Sequence, residues 1–301
     1  MESAPLVSVL MTAYNREKYI AEAIESVLAS TYTNFELIIV DDCSNDHTVE
    51  IARSYEAKDS RIKVYVNETN LGDYPNRNKA AGYATGKYLK YLDSDDIIYP
   101  QSLTIFVEGI EKFPEAGYAF CYNGVQYNHC PFPMKLNPLE AYQHHFFNGG
   151  LFYAGPGGTI INREIFLELG DFSGLRYSGD MEMWMKISAK YTTVIIQPGL
   201  IWWRIHPGQE FFYGHKLNEY ITSNYLVTQN ALKTNCPLAI NDQKKARYNS
   251  KRLLGRNLLI LFMKCKFSNF YTILIATNYS IISLGLSLLP VNKFNKWLKI
   301  S

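Results

Sequence analysis

Residues 87–100 read KYLKYLDSDDIIYP. The stretch starts as a β-prone apolar run (Tyr88, Leu89, Tyr91, Leu92) and breaks into Asp93-Ser94-Asp95-Asp96. In extended backbone, side chains two apart point the same way, so Asp93 and Asp95 converge while Ser94 and Asp96 face elsewhere. Three carboxylates at a strand end repel one another unless a positive charge sits among them. Oxygen ligands alone suit a hard divalent cation, Mn2+ or Mg2+. Asp is also common in turns and at helix caps, and by itself the stretch reads more simply as a solvated turn. Its neighbours decide.

Upstream, the chain alternates short apolar runs with helical spacing. Leu6–Tyr14 is a buried strand, and Asn15 is placed to cap a helix whose Tyr19, Ile20, Ala23, Ile24, Val27 and Leu28 share a face. Phe35–Val40 is a second strand ending at Asp41-Asp42, and Ser44-Asn45-Asp46 offer caps for the next helix. Ile62–Val66 is a third strand, Pro75–Thr85 a helix stopped by Gly86, and the opening stretch a fourth strand. This alternation predicts an α/β fold with a doubly wound, mostly parallel sheet. Such sheets bind ligands beyond the carboxyl ends of their strands. Three of those ends carry Thr12-Ala13-Tyr14, Asp41-Asp42 and Asp93-Ser94-Asp95. Neither GxGxxG after the first strand nor GxxxxGK[ST] is present, which removes the dinucleotide and P-loop readings.

Downstream, Leu103, Phe106, Val107 and Ile110 mark a helix, Tyr118–Tyr127 a strand-like segment, and 131–151 a loop rich in Pro, Asn, His and Phe. Gly155-Pro156-Gly157-Gly158 is a turn that admits close backbone approach. A short helix ends near Gly170, and Asp180 is placed to cap a helix beginning at Met181. Val194–Ile196 is a strand, and Trp202–Gly208 is expected to close the core.

Several blocks resemble the inverting glycosyltransferases of family 2, which have the GT-A fold. These are PLVSVLMTAYNREKYIAEAIESVL (5–28), FELIIVDDCSNDHT (35–48), NLGDYPNRNKAAGYATGKYLKYLDSDDIIYP (70–100), GDMEMW (179–184) and WRIHPG (203–208). They cover about the first 210 residues; the first three are specific together, the last two weaker. The resemblance implies that Thr12 and Tyr14 contact the base or ribose. Asp42 would accept a hydrogen bond from a uracil-type ring N–H, favouring UDP or dTDP donors. Arg77 would approach the base or a phosphate. Asp93, Ser94 and Asp95 match a DxD-type motif, with Asp95 and Asp93 toward the metal, and Asp93 and Ser94 also toward the ribose. His206 would complete the metal or diphosphate shell. Asp180 would be the general base; many relatives have Glu-Asp where this chain has Gly179-Asp180, so Glu182 stands as a second choice.

The rivals are sugar-nucleotide synthesis, which needs a Gly- and Arg-rich phosphate loop that TAYNREKY lacks, and a non-catalytic sugar- or membrane-binding protein retaining the fold. The domain expectation is a catalytic domain over 1–215, with a nucleotide half to about 100 and an acceptor half beyond it. A helical extension over 216–301 follows.

Charge divides the chain in the same way. Of 30 basic and 28 acidic residues, eleven basic and no acidic ones follow Asp242, leaving the body at a net of −9. An acidic body excludes a nucleic-acid partner, while the basic tail suits an anionic membrane surface. Residues 267–292 carry no charge, but Thr272, Thr277, Asn278, Ser280, Ser283 and Ser287 make a poor membrane span. Phe294, Trp297 and Leu298 beside lysines suit an interface. Five scattered cysteines and an N-terminus without a basic segment point to a reducing compartment and no signal peptide. The expectation is a cytoplasmic protein, peripheral on the inner face of a bacterial plasma membrane. Its partners would be a nucleotide-sugar donor and a saccharide or lipid-linked acceptor.

Overall fold

A computed structural model describes residues 4–121, 131–206, 209, 219–233, 235–280 and 284. The chain divides into two compact units, Met1–His206 and Pro207–Ser301.

In the first unit, β1 (Val7–Ala13), β2 (Phe35–Asp41), β3 (Ile62–Val66) and β4 (Tyr88–Tyr91) alternate with α1 (Ile20–Leu28), α2 (Thr48–Glu56) and α3 (Asp73–Tyr83). All three pairings among these strands are parallel. Then come β5 (Ile97–Ile98), α4 (Ser102–Glu111), β6 (Ala116–Cys121), β7 (Met134–Leu136), α5 (Pro138–Phe147), β8 (Thr159–Asn162), α6 (Arg163–Glu168), α7 (Gly179–Ser188), β9 (Thr192–Ile196) and β10 (Ile201–Trp202). The main sheet runs β3-β2-β1-β4-β8-β6-β9-β7, and β5 pairs with β10 separately. Beyond β4, among the described residues, β6 and β9 pair in parallel, β8 runs antiparallel to both its neighbours and β7 runs antiparallel to β9. The expected α/β, mostly parallel sheet is present.

Burial explains the patterning. β1 and β2 bury nearly every side chain, and Val7, Val9, Met11, Leu37 and Ile39 join Ile20, Ile24, Val27 and Leu103 in one core. Register places the site: Ala13 pairs with Asp41 and Leu10 with Tyr91, so the three polar strand ends stand level.

Several local expectations are corrected. Asn15 does not cap α1, which starts at Ile20; it lies at φ 52° and its side-chain oxygen accepts from Asn45 N–H. Gly86 does not stop α3, which ends at Tyr83. Gly86 is needed because a Cβ there would lie 2.7 Å from the Leu6 carbonyl oxygen. The 131–151 loop contains β7 and α5, the latter opened by a capping box of Asn137 and Glu140 with Pro138 at its first turn. Trp202 and Trp203 do not close the core; they are 43% and 46% exposed. Lys90, in the middle of β4, is fully buried. Its ammonium donates to the carbonyls of Tyr91 and Gly157, 5.1 Å from the Phe106 ring centroid, and burial pushes its pKa down to about 8. Residues 122–127, 207–208, 281–283 and 285–301 of the segments named above lie outside the described residues.

The second unit contains α8 (Glu219–Ala231), α9 (Ile240–Met263) and α10 (Phe267–Ala276). Tyr225, Leu254, Leu258, Leu261, Phe270, Ile273 and Tyr279 form its core. Among the described residues, no helix is long and apolar enough to cross a membrane.

Candidate active site

Beyond β4 the chain turns tightly, with Asp96 N–H bonded to the Asp93 carbonyl. Asp93, Asp95 and Asp96 each present a ligand oxygen, all within 4.8 Å of one another. Each acid has a different partner. Asp93 accepts from Arg77 Nη2 at 2.7 Å. Asp95 accepts from Arg16 Nε and lies against His206 Nε2, both at 2.9 Å on the same oxygen. Asp96 accepts from the Arg204 N–H at 3.0 Å and so braces the turn. Burial, reinforced by the Asp93 charge, pushes the Asp96 pKa up to about 8. Hard oxygens with one imidazole at hand form a donor set that fits Mn2+ or Mg2+.

The other strand ends meet this cluster. Ser94 is buried and its hydroxyl donates to the Thr12 carbonyl at 2.8 Å, tying β4 to β1. Tyr14 stands exposed just beyond. Asp42 is buried, and its carboxylate accepts from Asn67 Nδ2 and from the backbone N–H groups of Leu71 and Gly72, each at 2.8 Å. Those bonds hold the 70–72 loop against the end of β2. Asp41, beside it, takes the Ser44 N–H and hydroxyl instead.

Arg77 is not an exposed helix charge. Its side chain is 8% exposed, bridges Asp73 (2.7 Å) and Asp93, and leaves buried Nη1 without a hydrogen-bond partner. The two carboxylates hold its pKa up against burial.

Asp180 sits inside the first turn of α7, which begins at Gly179 rather than at Met181. Its carboxylate accepts from Met181 N–H at 2.7 Å, and its own N–H donates to Tyr74 Oη at 3.1 Å. Burial pushes its pKa up to about 6, with Asp73 adding to the rise. α3 therefore links the two acid sites: Tyr74 touches Asp180 while Arg77, one turn on, touches Asp93. The departure from Glu-Asp has a steric cause, since a Cβ at Gly179 would lie 2.9 Å from the Tyr74 ring. Glu182 points elsewhere, to the Ser173 hydroxyl and Lys186.

Beside His206, a cleft of about 450 Å³ is lined by Tyr19, Trp202, Trp203, Arg204 and Ile205. Arg204 stacks over Tyr19 and Trp202, reaches Glu22 at 2.6 Å and donates to the Asp95 carbonyl at 2.8 Å. The structure thus brings together Thr12, Arg77, Asp93, Ser94, Asp95 and His206, with Asp180 joined through α3. Reading by spacing missed Arg16, Asp73, Tyr74 and Asn67. Nothing local marks Arg16 or Tyr74, whose contacts are made across the fold; Asp73 stands four residues before Arg77 on one helix, the spacing of a local ion pair, and Asn67, at the end of β3, follows the pattern of polar strand ends.

Residues 8–170 match the model of glycosyl transferase family 2. A putative glycosyltransferase of Bacillus subtilis, EpsE, is 44% identical over 113 residues, which is 37% of this chain and 41% of that protein. The Escherichia coli UDP-Glc:alpha-D-GlcNAc-diphosphoundecaprenol beta-1,3-glucosyltransferase WfgD is 47% identical over 92 residues, 31% of this chain and 36% of that one. The similarity thus spans well under half of these relatives. Two solved structures share the GT-A fold. TarS 1-349 of S. aureus with UDP-GlcNAc has a TM-score of 0.62 at 21% identity, over 85% of this chain and 72% of that one. The mannosyltransferase PcManGT of Pyrobaculum calidifontis with GDP-Man and Mn2+ also has 0.62, at 17% identity, over 100% and 82%. With more than half its length matched by the family model, and with that family's fold, the chain belongs to glycosyl transferase family 2.

Proposed function

We propose that this protein is an inverting, metal-dependent glycosyltransferase that moves a sugar from a UDP or dTDP donor to a saccharide or lipid-linked saccharide in cell-surface polysaccharide synthesis. The observation that carries the reading is the connection through α3 of a raised-pKa carboxylate, Asp180, to the Asp93-Asp95-Asp96 cluster.

Thr12 and Tyr14 flank the nucleoside, and Asp42 presents its remaining acceptor capacity to a uracil-type N–H. Arg77 holds Asp93 toward the ribose side. Asp95, Asp93 and His206 would hold Mn2+ or Mg2+, which when bound neutralises charge on the leaving diphosphate. Asp180 takes the proton of the acceptor hydroxyl as that oxygen bonds to C1 from the face opposite the departing nucleotide diphosphate. A base with a pKa near 6 is ionised at neutral pH yet still basic enough to help. WfgD, acting by its name on a diphosphoundecaprenol-linked sugar, supports a lipid-linked acceptor.

Attachment to the inner face of the plasma membrane belongs to the same reading. The second unit exposes Leu253, Met263, Tyr271 and Ile275 and carries all the basic residues after Asp242. The deciding experiment offers the full chain a panel of nucleotide sugars with Mn2+ or Mg2+. UDP- or dTDP-sugars should be turned over and others not, and Asp180→Asn should lower transfer by about 10²–10⁴-fold. Failure of every uridine and thymidine donor to bind would overturn the Asp42 assignment, and indifference to anionic liposomes at low salt would overturn the attachment.

A further inference from the structure

The roles above leave the Arg16–Asp95 ion pair unexplained. Arg16 Nε donates to Asp95 Oδ2 at 2.9 Å, the same oxygen that His206 Nε2 meets at 2.9 Å. The carboxylate proposed for the cation is thus already engaged by a positive group of the chain. A guanidinium and a divalent ion on one carboxylate oxygen repel strongly, so they compete for it.

Arg16 is held in position from behind. Its backbone N–H donates to Thr48 Oγ1 at 2.7 Å, which is itself fixed by Asp46, and its Nη1 donates to the Tyr14 and Asn15 carbonyls at 3.0 and 3.2 Å. The side chain is 23% exposed, which leaves it room to move off Asp95. It also touches both the Tyr14 carbonyl and Asp95, the residues assigned above to the nucleoside and to the cation. A guanidinium pairs with phosphate oxygens in bidentate fashion as readily as with a carboxylate.

We infer that Arg16 is a latch on the cation site: without donor it occupies Asp95, and the donor diphosphate draws it away, so that nucleotide and cation bind cooperatively. The inference rests on the reading of Asp95 as a cation ligand. Linkage requires the coupling to be mutual, with UDP tightening the cation by the factor by which the cation tightens UDP.

The test is titration of Mn2+ into the full chain, following free Mn2+ by electron paramagnetic resonance with and without UDP. Native protein, Arg16→Gln, Arg16→Lys and Asp95→Asn are compared, with thermal melts confirming that each folds. Without UDP, Arg16→Gln should bind Mn2+ about tenfold more tightly than native, a coupling of ordinary size. The tightening that UDP produces in the native chain should shrink in this variant, while Arg16→Lys stays close to native. Arg16→Gln binding no tighter than native overturns the latch and leaves the metal site standing. Asp95→Asn binding as native does, or native failing to bind Mn2+ even with UDP, overturns the metal reading itself. Should Arg16→Gln not fold, the native chain still decides, because equal Mn2+ affinity with and without UDP removes the latch.

Discussion

The two halves of the first unit, up to β4 and beyond α4, are held together by different forces. Up to β4, the strand ends are fixed by directional polar bonds: Asp42 gathers three donors, Ser94 ties to Thr12, and Arg77 bridges two carboxylates. Beyond α4, α7 is packed among rings. Trp184 of α7 stacks on Tyr118 at 5.2 Å and meets Phe172 edge-on at 6.3 Å, and Phe172 packs on Tyr91 at 5.7 Å. Hydrogen bonds place individual atoms, whereas ring packing places a helix as a body. The half that would read a nucleotide has its carboxylates set one by one. The half that would carry the base sets its carboxylate by where α7 lies.

That difference can be broken or sharpened by mutation. The largest effect belongs to Asp180→Asn, which should lower transfer by about 10²–10⁴-fold while leaving UDP binding unchanged. Equal loss of UDP binding would show that the halves do not act separately.

Next comes Asp42→Ala. It removes a hydrogen-bond partner of the buried Asn67 amide and of the part-buried Leu71 and Gly72 N–H groups, and a buried donor left unpaired costs about 1–3 kcal/mol. Urea denaturation should show the loss, and calorimetry should show weaker nucleotide binding. A variant as stable as native would mean that the polar wiring of the first half contributes little.

Gly179→Ala tests the packed half. The new methyl meets the Tyr74 ring, and displacing it should cost about 1–3 kcal/mol. In a Tyr74→Ala background the same Gly179→Ala change should lower Tm by less than it does in the native chain, so that part of its cost is recovered. No recovery would place the strain elsewhere.

The smallest effect is in pH. The Asp180 pKa lies at about 6 in place of 3.8, so the folded state holds this proton more tightly than the unfolded state does. Its share of stability is therefore present below the ordinary carboxylate value and is lost as pH rises from there through about 6. Activity runs the other way, falling about tenfold per pH unit below that point as the base is protonated. A kcat/KM profile flat down to the ordinary carboxylate range would refute Asp180 as the base.

Much of this was legible in the chain. The alternation of runs predicted β1 to β4 in parallel, and with it the level placement of Thr12, Asp42 and Asp93, because strand period and register follow from local pattern. The capping box at Asn137-Pro138-Leu139-Glu140 was equally open to view, although the Pro, Asn, His and Phe content of 131–151 by itself reads as loop. Lys90 could not be placed so simply: alternation says that a residue of β4 is inside but not that a carbonyl 67 positions away will meet its ammonium.

The sequence by itself determined the fold class and the carboxylates at the strand ends, since these depend on spacing within single elements; Asp180 was singled out only through the resemblance to a family. Tertiary structure alone decided the partners. Arg16 reaches an acid 79 positions away, and Arg204 braces one 108 positions back. Tyr74 binds Asp180 from 106 positions upstream and explains why the residue before it is glycine. The physical reason is that a charge or a ring acts through space, over a few ångströms, and the positions that come that close are fixed only when the whole sheet has assembled.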